Sequence, residues 1–204
     1  MKLLYKTKTL MVILTLALLQ ACSSYEHPDD FNTQFKPGDR NFDGISVNEV
    51  TRAPLQVIVR AQFEASPKQV FSRMGDHKNL GEWIPFLDHE IQVDNRHSIT
   101  PGQNDVGTVR ICLFGDKNLT EDIKHWVPGK GYSYSARNTP NSPMKNHLGV
   151  ITIEEDGKGG SLITWRQYFE PSGFKGKHIM PAMMTYMLDK ALDNLSEEFG
   201  GYTI

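Results

Sequence analysis

The chain has 204 residues, with 22 Lys+Arg against 24 Asp+Glu, and without Lys2, Lys6 and Lys8 the balance is 19 against 24. This mildly acidic composition has no basic stripe and no repeat period, which excludes a nucleic-acid partner and a solenoid. Two cysteines are too few for a disulfide-stapled scaffold.

In chain order, the first element is MKLLYKTKTLMVILTLALLQACSS. Lys2, Lys6 and Lys8 precede an apolar run from Leu10 to Leu19, the charged and hydrophobic regions of an export signal. A bilayer-crossing helix needs about 20 apolar residues, so this run is too short for a permanent span. Leu19-Gln20-Ala21-Cys22 resembles the lipobox of bacterial lipoproteins. That resemblance implies a signal peptide over 1–21 and an acylated Cys22 as the first mature residue. Ser23 after the cysteine implies the outer membrane, with the protein facing the periplasm of the cell envelope. Each buried acyl CH₂ contributes about 0.8 kcal/mol, and more than one chain gives stable anchoring. An ordinary signal peptide with an incidental cysteine is the alternative. If Cys22 carries lipid, Cys112 is alone; a Cys22–Cys112 bridge requires an unlipidated chain.

Residues 22–50 mix Pro, Gly, Asp and Asn without periodicity and read as a flexible tether. About 28 residues of coil reach on the order of 30 Å. The remainder, 51–204, suits one domain with a substantial core.

LQVIVRAQF (55–63) alternates Leu55, Val57, Val59, Ala61 and Phe63 against polar neighbours, which predicts a half-buried strand. Ser66-Pro67 starts a short helix with Val70, Phe71 and Met74 on its apolar face. GDHKNLGEWIPF (75–86) follows, and its adjacent Asp76 and His77 raise the question of a catalytic dyad. Neighbours in sequence point in different directions in helix and strand alike, so a corner in the fold is the better reading. LDHEIQV, GTVRICLF, NLTEDIKHWV, GYSYSAR, NHLGVITI and SLITWRQYF then read as an antiparallel meander punctuated by turn residues. IMPAMMTYMLDKALDNLSEEF closes the chain as a helix stopped by Gly200-Gly201. Twenty residues span about 30 Å, enough to cross a sheet.

The stretches FEASPKQVFSRMGDHKNLGEWIPFL, DVGTVR, TEDI, YSY and GGSLITWRQYFEP, in that order from about Leu55 to Phe199, resemble the polyketide cyclase/dehydrase and lipid-transport branch of the START-like, or SRPBCC, superfamily. The resemblance implies an α+β helix-grip fold: a curved antiparallel sheet of about seven strands around a long C-terminal helix, with two short helices after the first strand. It implies an elongated cavity between sheet and helix. It also makes Asp76 a turn or cap residue and Trp83 a core anchor.

Alternation selects the side chains that face such a cavity. These are Glu121 and His125 with Leu119, Ile123 and Val127; Tyr132 and Tyr134; His147 with Gly149, Ile151 and Ile153; and Trp165 and Gln167 with Ile163 and Phe169. The presence of Leu148 and Val150 on the other parity blurs the assignment of His147. Met184 and Met187, with Met180 and Met183, crowd the first half of the terminal helix as pliable lining or core filler. Cys112 shares parity with Arg110, opposite Val109, Ile111 and Leu113, and is expected on the outer face. His89, His97 and His178 are expected to face water, and Pro140-Asn141-Ser142-Pro143 to form an exposed turn or gate. Buried polar groups need partners, and aromatic walls with a few convergent polar groups are the usual lining of a ligand pocket.

The resulting expectation is a lipid-anchored envelope protein that binds a hydrophobic small molecule, a lipid or aromatic metabolite, and is a binding protein sooner than an enzyme. An alternative is a cyclase-like enzyme in which Glu121 with His125 or a tyrosine steers enolisation. A third is an envelope scaffold whose interior is filled by its own side chains. No metal-ligand spacing, phosphate loop or nucleophile elbow is present, so neither metal nor cofactor is expected.

Overall fold

The computed structural model describes residues 40–204 except 89, 90, 116 and 141. The leader with Cys22, the tether up to residue 39, His89 and Asn141 lie outside the described residues.

The order of elements is β1 (Asn41–Phe42), β2 (Ile45–Ser46), α1 (Val47–Val50), β3 (Leu55–Phe63), α2 (Pro67–Met74), a 3-10 helix (His77–Glu82), β4 (Gln92–Asp94), β5 (Val109–Phe114), β6 (Lys117–Val127), β7 (Gly131–Ala136), β8 (Met144–Glu155), β9 (Ser161–Pro171), α3 (Gly173–His178), α4 (Met180–Phe199) and β10 (Gly201–Thr203). Among the described residues, eight strands form one sheet in the order β10-β3-β9-β8-β7-β6-β5-β4, every neighbouring pair antiparallel. The fold is therefore the expected helix grip, with β10 as an edge strand beyond the seven anticipated.

Why these residues form these elements is mostly local. Gln69 Oε1 accepts from both the backbone N–H and the hydroxyl of Ser66, so the start of α2 is fixed before Pro67 sets the first turn. The apolar stripe of α4, Met184, Leu188, Ala191, Leu192 and Leu195, is buried in one core with Val57, Val59, Ala61 and Phe63 of β3. Gly200 ends the helix at φ 71°, a conformation that penalises a Cβ, and the chain turns back into β10 beside β3. Asn194 of α4 donates to the carbonyl of Trp83 at 2.9 Å, tying the helix to the segment after the 3-10 turn.

The corner at 75–86 is structural. Asp76 Oδ2 accepts from Asn79 Nδ2 at 2.7 Å, while His77 is fully buried with its ring against Trp126 and Tyr132. Asp76 and His77 thus serve different faces of the turn and form no dyad. Trp83 is a core anchor, 2% exposed and packed on Trp165.

One boundary differs from the sequence reading. Residues 40–50, assigned to the tether, form the β1–β2 hairpin and α1, with Ile45 and Val47 buried. Arg40 lies over the Tyr168 ring at 4.9 Å and donates to the Ala53 carbonyl, and Arg166 lies over Phe42 at 4.1 Å. This segment covers the outer face of the sheet, where Leu148, Val150, Arg166 and Tyr168 are buried. Polar, turn-rich composition hid it, because a two-residue hairpin carries too little periodicity to register. It also explains the ambiguity on β8, whose two parities are both covered. Ile45→Ala is expected to lower stability by about 2–5 kcal/mol in urea unfolding, the usual loss for a truncated core aliphatic; a free tether would give no change.

Candidate functional site

The inner face of the sheet is organised around β5 and β6. Arg110 pairs in register with Glu121, and Cys112 with Leu119; residues directly opposite in an antiparallel pair share a face. An inward Glu121 therefore brings Arg110 and Cys112 inward. The expectation that Cys112 lies outside is overturned: it is 4% exposed, and Val109, Ile111 and Leu113 are the half-buried set. Hydropathy misled because three aliphatics on one strand outvoted one arginine, whereas the partner strand sets the register.

Arg110 Nε–H donates to Glu121 Oε2 at 2.6 Å, with the two side chains 3% and 5% exposed. The guanidinium carbon stands 4.3 Å over the centre of the Tyr134 ring, a cation–π contact. Burial works against the Arg110 charge, but the Glu121 carboxylate outweighs it and holds the guanidinium firmly protonated. Cys112 Sγ donates to Glu121 Oε2 at 3.4 Å. Burial first, and the Glu121 carboxylate second, push its thiol far above the ordinary range, so it is no nucleophile at neutral pH.

A second chain of polar groups crosses β7, β8 and β9. The Tyr134 hydroxyl accepts from Trp165 Nε1 at 3.0 Å and from Gln167 Nε2 at 2.9 Å. Gln167 Oε1 meets His147 Nε2 at 2.6 Å, and the Ala136 N–H donates to His147 Nδ1 at 3.1 Å. An amide oxygen on one side and an N–H donor on the other fix the neutral imidazole with its proton on Nε2. Burial keeps it neutral by lowering its pKa. Tyr134 can lie across β8 because residue 149 is glycine: a Cβ there would sit within 2.3 Å of the ring. Burial raises the Tyr134 phenol far above its usual value, with the Glu121 carboxylate reinforcing it. The Tyr132 hydroxyl donates to the Met74 carbonyl at 2.8 Å.

Of the residues singled out from sequence, Glu121, Tyr132, Tyr134, His147, Trp165 and Gln167 are brought together on this face, and Met184 is buried in the same core with Met187 packed against it. His125 is not. The β6–β7 register shifts between Ile123 and His125, and this β-bulge reverses the alternation beyond it. His125 turns outward to Ser133 Oγ at 2.7 Å and to Glu49 at 3.8 Å, while Trp126 takes the inner position against Phe71 and Tyr132. Met183 is half exposed, and His97 and His178 are exposed.

Arg110, Cys112 and His77 are inner-face residues that alternation missed. For Arg110 the available signal was its register opposite Glu121, given a fixed loop between β5 and β6. For His77 there was none, since a 3-10 turn has no face legible from hydropathy. His77 has both ring nitrogens without a partner among the described residues. Burial, and then the Arg110 charge, push its pKa well below 6.5. Among the described residues no group of three or more His, Cys, Asp or Glu is placed to hold a metal ion, and no helix is long and apolar enough to cross a membrane.

Glu121→Gln strands a buried guanidinium and is expected to cost about 3–5 kcal/mol, whereas replacing Arg110 and Glu121 together with Met and Leu restores most of the loss; denaturant unfolding of the three variants measures this. His77, held neutral when folded, titrates near 6.5 when unfolded. Its contribution is full above that pH and is lost as pH falls through it, at up to about 1.4 kcal/mol per pH unit. Urea midpoints between neutral pH and mildly acidic pH should show this slope reduced in His77→Phe.

The sequence profile of the family described as Polyketide cyclase / dehydrase and lipid transport matches residues 54–200. Among solved structures, the fold is similar to XoxI from Bacillus cereus, at 22% identity and TM-score 0.56 over 70% of this chain and 94% of that one. It is also similar to a protein from Thermobifida fusca, at 17% identity and TM-score 0.58 over 71% and 92%. Ginseng major latex-like protein 151 from Panax ginseng follows at 12% identity and TM-score 0.55 over 71% and 96%. None of the curated proteins compared matches the sequence. The family match over residues 54–200 runs from the start of β3 through α4, and the chain belongs to the polyketide cyclase/dehydrase and lipid-transport family.

Proposed function

We propose that this protein binds a hydrophobic small molecule, a lipid or aromatic metabolite, against the inner face of its helix-grip sheet, and that it does so from the bacterial envelope. The observation that carries the reading is the combination of aromatic surface and uncommitted donors. Tyr132, Tyr134, Trp83 and Trp165 supply flat apolar area, and Arg110 Nη1, Trp83 Nε1 and His77 are buried without partners among the described residues. Apolar burial at about 25 cal/mol per Å² supplies the affinity, and the polar groups orient the ligand. Membership of a family described by cyclase, dehydrase and lipid-transport functions supports the same class of ligand.

A cyclase-like activity resting on Glu121 and His125 is disfavoured. Glu121 is committed to Arg110, and His125 points to the opposite face. Tyr134 is held protonated by burial, and Cys112 likewise, so neither serves as a base.

The envelope location rests on the lipobox-like Leu19-Gln20-Ala21-Cys22 and on Ser23. Acylation at Cys22 is expected to place the protein in the outer membrane, facing the periplasm. Cys22→Ser should abolish incorporation of labelled palmitate and shift the protein from the membrane to the soluble fraction; retained label in that variant rules out the anchor.

Native mass spectrometry of protein purified from its own envelope, under conditions that preserve non-covalent complexes, is expected to show a mass increment that extracts into organic solvent. A bare polypeptide mass in every preparation favours a scaffold with a filled interior.

A further inference from the structure

Large apolar side chains that face water singly are ordinary, whereas several on one surface mark a contact. Nine are exposed among the described residues. Five of these, Phe86, Phe174, Ile179, Met183 and Tyr186, belong to α3, its junction with α4, the first half of α4 and the loop after the 3-10 helix. Pro181, Met184 and Leu188 bury one side of α4. Ile179, Met183 and Tyr186 follow one another at helical spacing on the other side, and the Met183 N–H donates to the Ile179 carbonyl at 3.0 Å, which stacks them in successive turns.

Ring contacts join the two ends of this stripe to their neighbours. The Phe86 ring stands 6.4 Å from that of Tyr186, and the Phe174 ring 4.9 Å from that of His178, which precedes Ile179. Gly176 turns the inner side of α3 onto the Pro143 carbonyl, with which a Cβ there would collide, and Phe174, Lys175, Lys177 and His178 are exposed. Phe86 keeps its ring 69% exposed at φ 66°, a strained conformation for a bulky residue and of a kind that gathers at functional sites. From Pro171 to Leu188 the chain carries Lys175, Lys177 and His178 and neither Asp nor Glu. Asp88 follows Phe86 at the Tyr186 end, so the positive charge is concentrated at α3. A second copy packed symmetrically on α3 would oppose lysine to lysine. An anionic bilayer surface instead offers apolar depth to the rings and opposite charge to the lysines.

We infer that α3, the start of α4 and Phe86 form an interfacial surface that docks the folded domain on a bilayer containing anionic lipid. Phe174, Ile179, Met183 and Tyr186 enter the headgroup region, and Lys175 and Lys177 meet the anionic headgroups. No helix among the described residues is long and apolar enough to cross a membrane, so the contact lies in the plane of the interface. This goes beyond an anchor at Cys22, which would hold the N-terminus near lipid without choosing the face that the domain presents.

The test uses the full-length chain with Phe174→Trp, Met183→Trp or Tyr202→Trp, each checked for folding by its thermal transition. Each is mixed with vesicles of equimolar phosphatidylglycerol and phosphatidylcholine, or of phosphatidylcholine alone, carrying acyl-brominated lipid as quencher. The unsubstituted protein supplies the baseline of its three native tryptophans. In the anionic vesicles, emission from positions 174 and 183 is expected to be quenched at least about twofold more than from position 202, an exposed residue beyond the C-terminal end of α4. Lys175→Glu with Lys177→Glu should lower the quenching at position 183 by about half or more, as should vesicles without phosphatidylglycerol. Absence of quenching at both 174 and 183 overturns the inference, as does equal quenching at all three positions. Quenching indifferent to lipid charge and to the lysine reversals overturns the anionic partner. A blue shift that grows with protein concentration without vesicles makes the surface an interface between copies and overturns the inference as well. Each of these outcomes leaves the small-molecule reading standing, because none of the substituted residues lies on the inner face of the sheet.

Discussion

Two opposite charges, shut away from water on the inner face of the sheet, set the terms for the polar groups around them. Removing both members of such a pair from water costs several kcal/mol per ion, and well-packed apolar residues in their place are often no less stable. Close hydrogen-bonded contact between Arg110 and Glu121 offsets that cost, and the Tyr134 ring beneath the guanidinium adds to it. The consequence is a core that carries polar directionality without net charge. Burial first, and then the same carboxylate, keep the Cys112 thiol protonated. His77 is kept neutral by burial first and by the same cation second.

A separate line of hydrogen bonds runs His147, Gln167, Tyr134, Trp165. Its direction is set at one end by the Ala136 N–H, which leaves the imidazole only one tautomer. Tyr134 belongs to both systems: its ring meets Arg110 and its hydroxyl accepts from both Gln167 and Trp165. Gly149 makes this possible by clearing the space that the ring occupies. The two systems together stiffen the middle strands, while Met184 and Met187 bring thioethers from α4 to the same core, a softer surface able to adjust to an occupant's shape.

Much of this was legible in the residues alone. Strict alternation on β3 and β9, the capping pattern at Ser66 and the long apolar stripe of α4 all speak through periodicities that local geometry enforces. Most of the inner-face polar residues followed from the same alternation. It failed at three identifiable places. A bulge at Lys124 turned His125 away. Cross-strand register overrode hydropathy on β5 and brought Arg110 and Cys112 inside. The segment 40–50 covered the sheet's outer face without any repeating pattern of its own. In each case the deciding contact is long-range: β6 against β7, β5 against β6, or Arg40 and Phe42 against β9. Periodicity reports only what a residue's neighbours in sequence do.

An arginine locked to a buried carboxylate has a direct spectroscopic signature. In a proton–nitrogen correlation spectrum recorded on arginine-labelled protein, the Arg110 Nε–H, assigned by its loss in Arg110→Met, should be shifted from the exposed arginines and exchange slowly with solvent at neutral pH. An Arg110 signal that exchanges as fast as those of exposed Arg96 and Arg137 would contradict the buried pair, and with it the neutral, donor-rich interior.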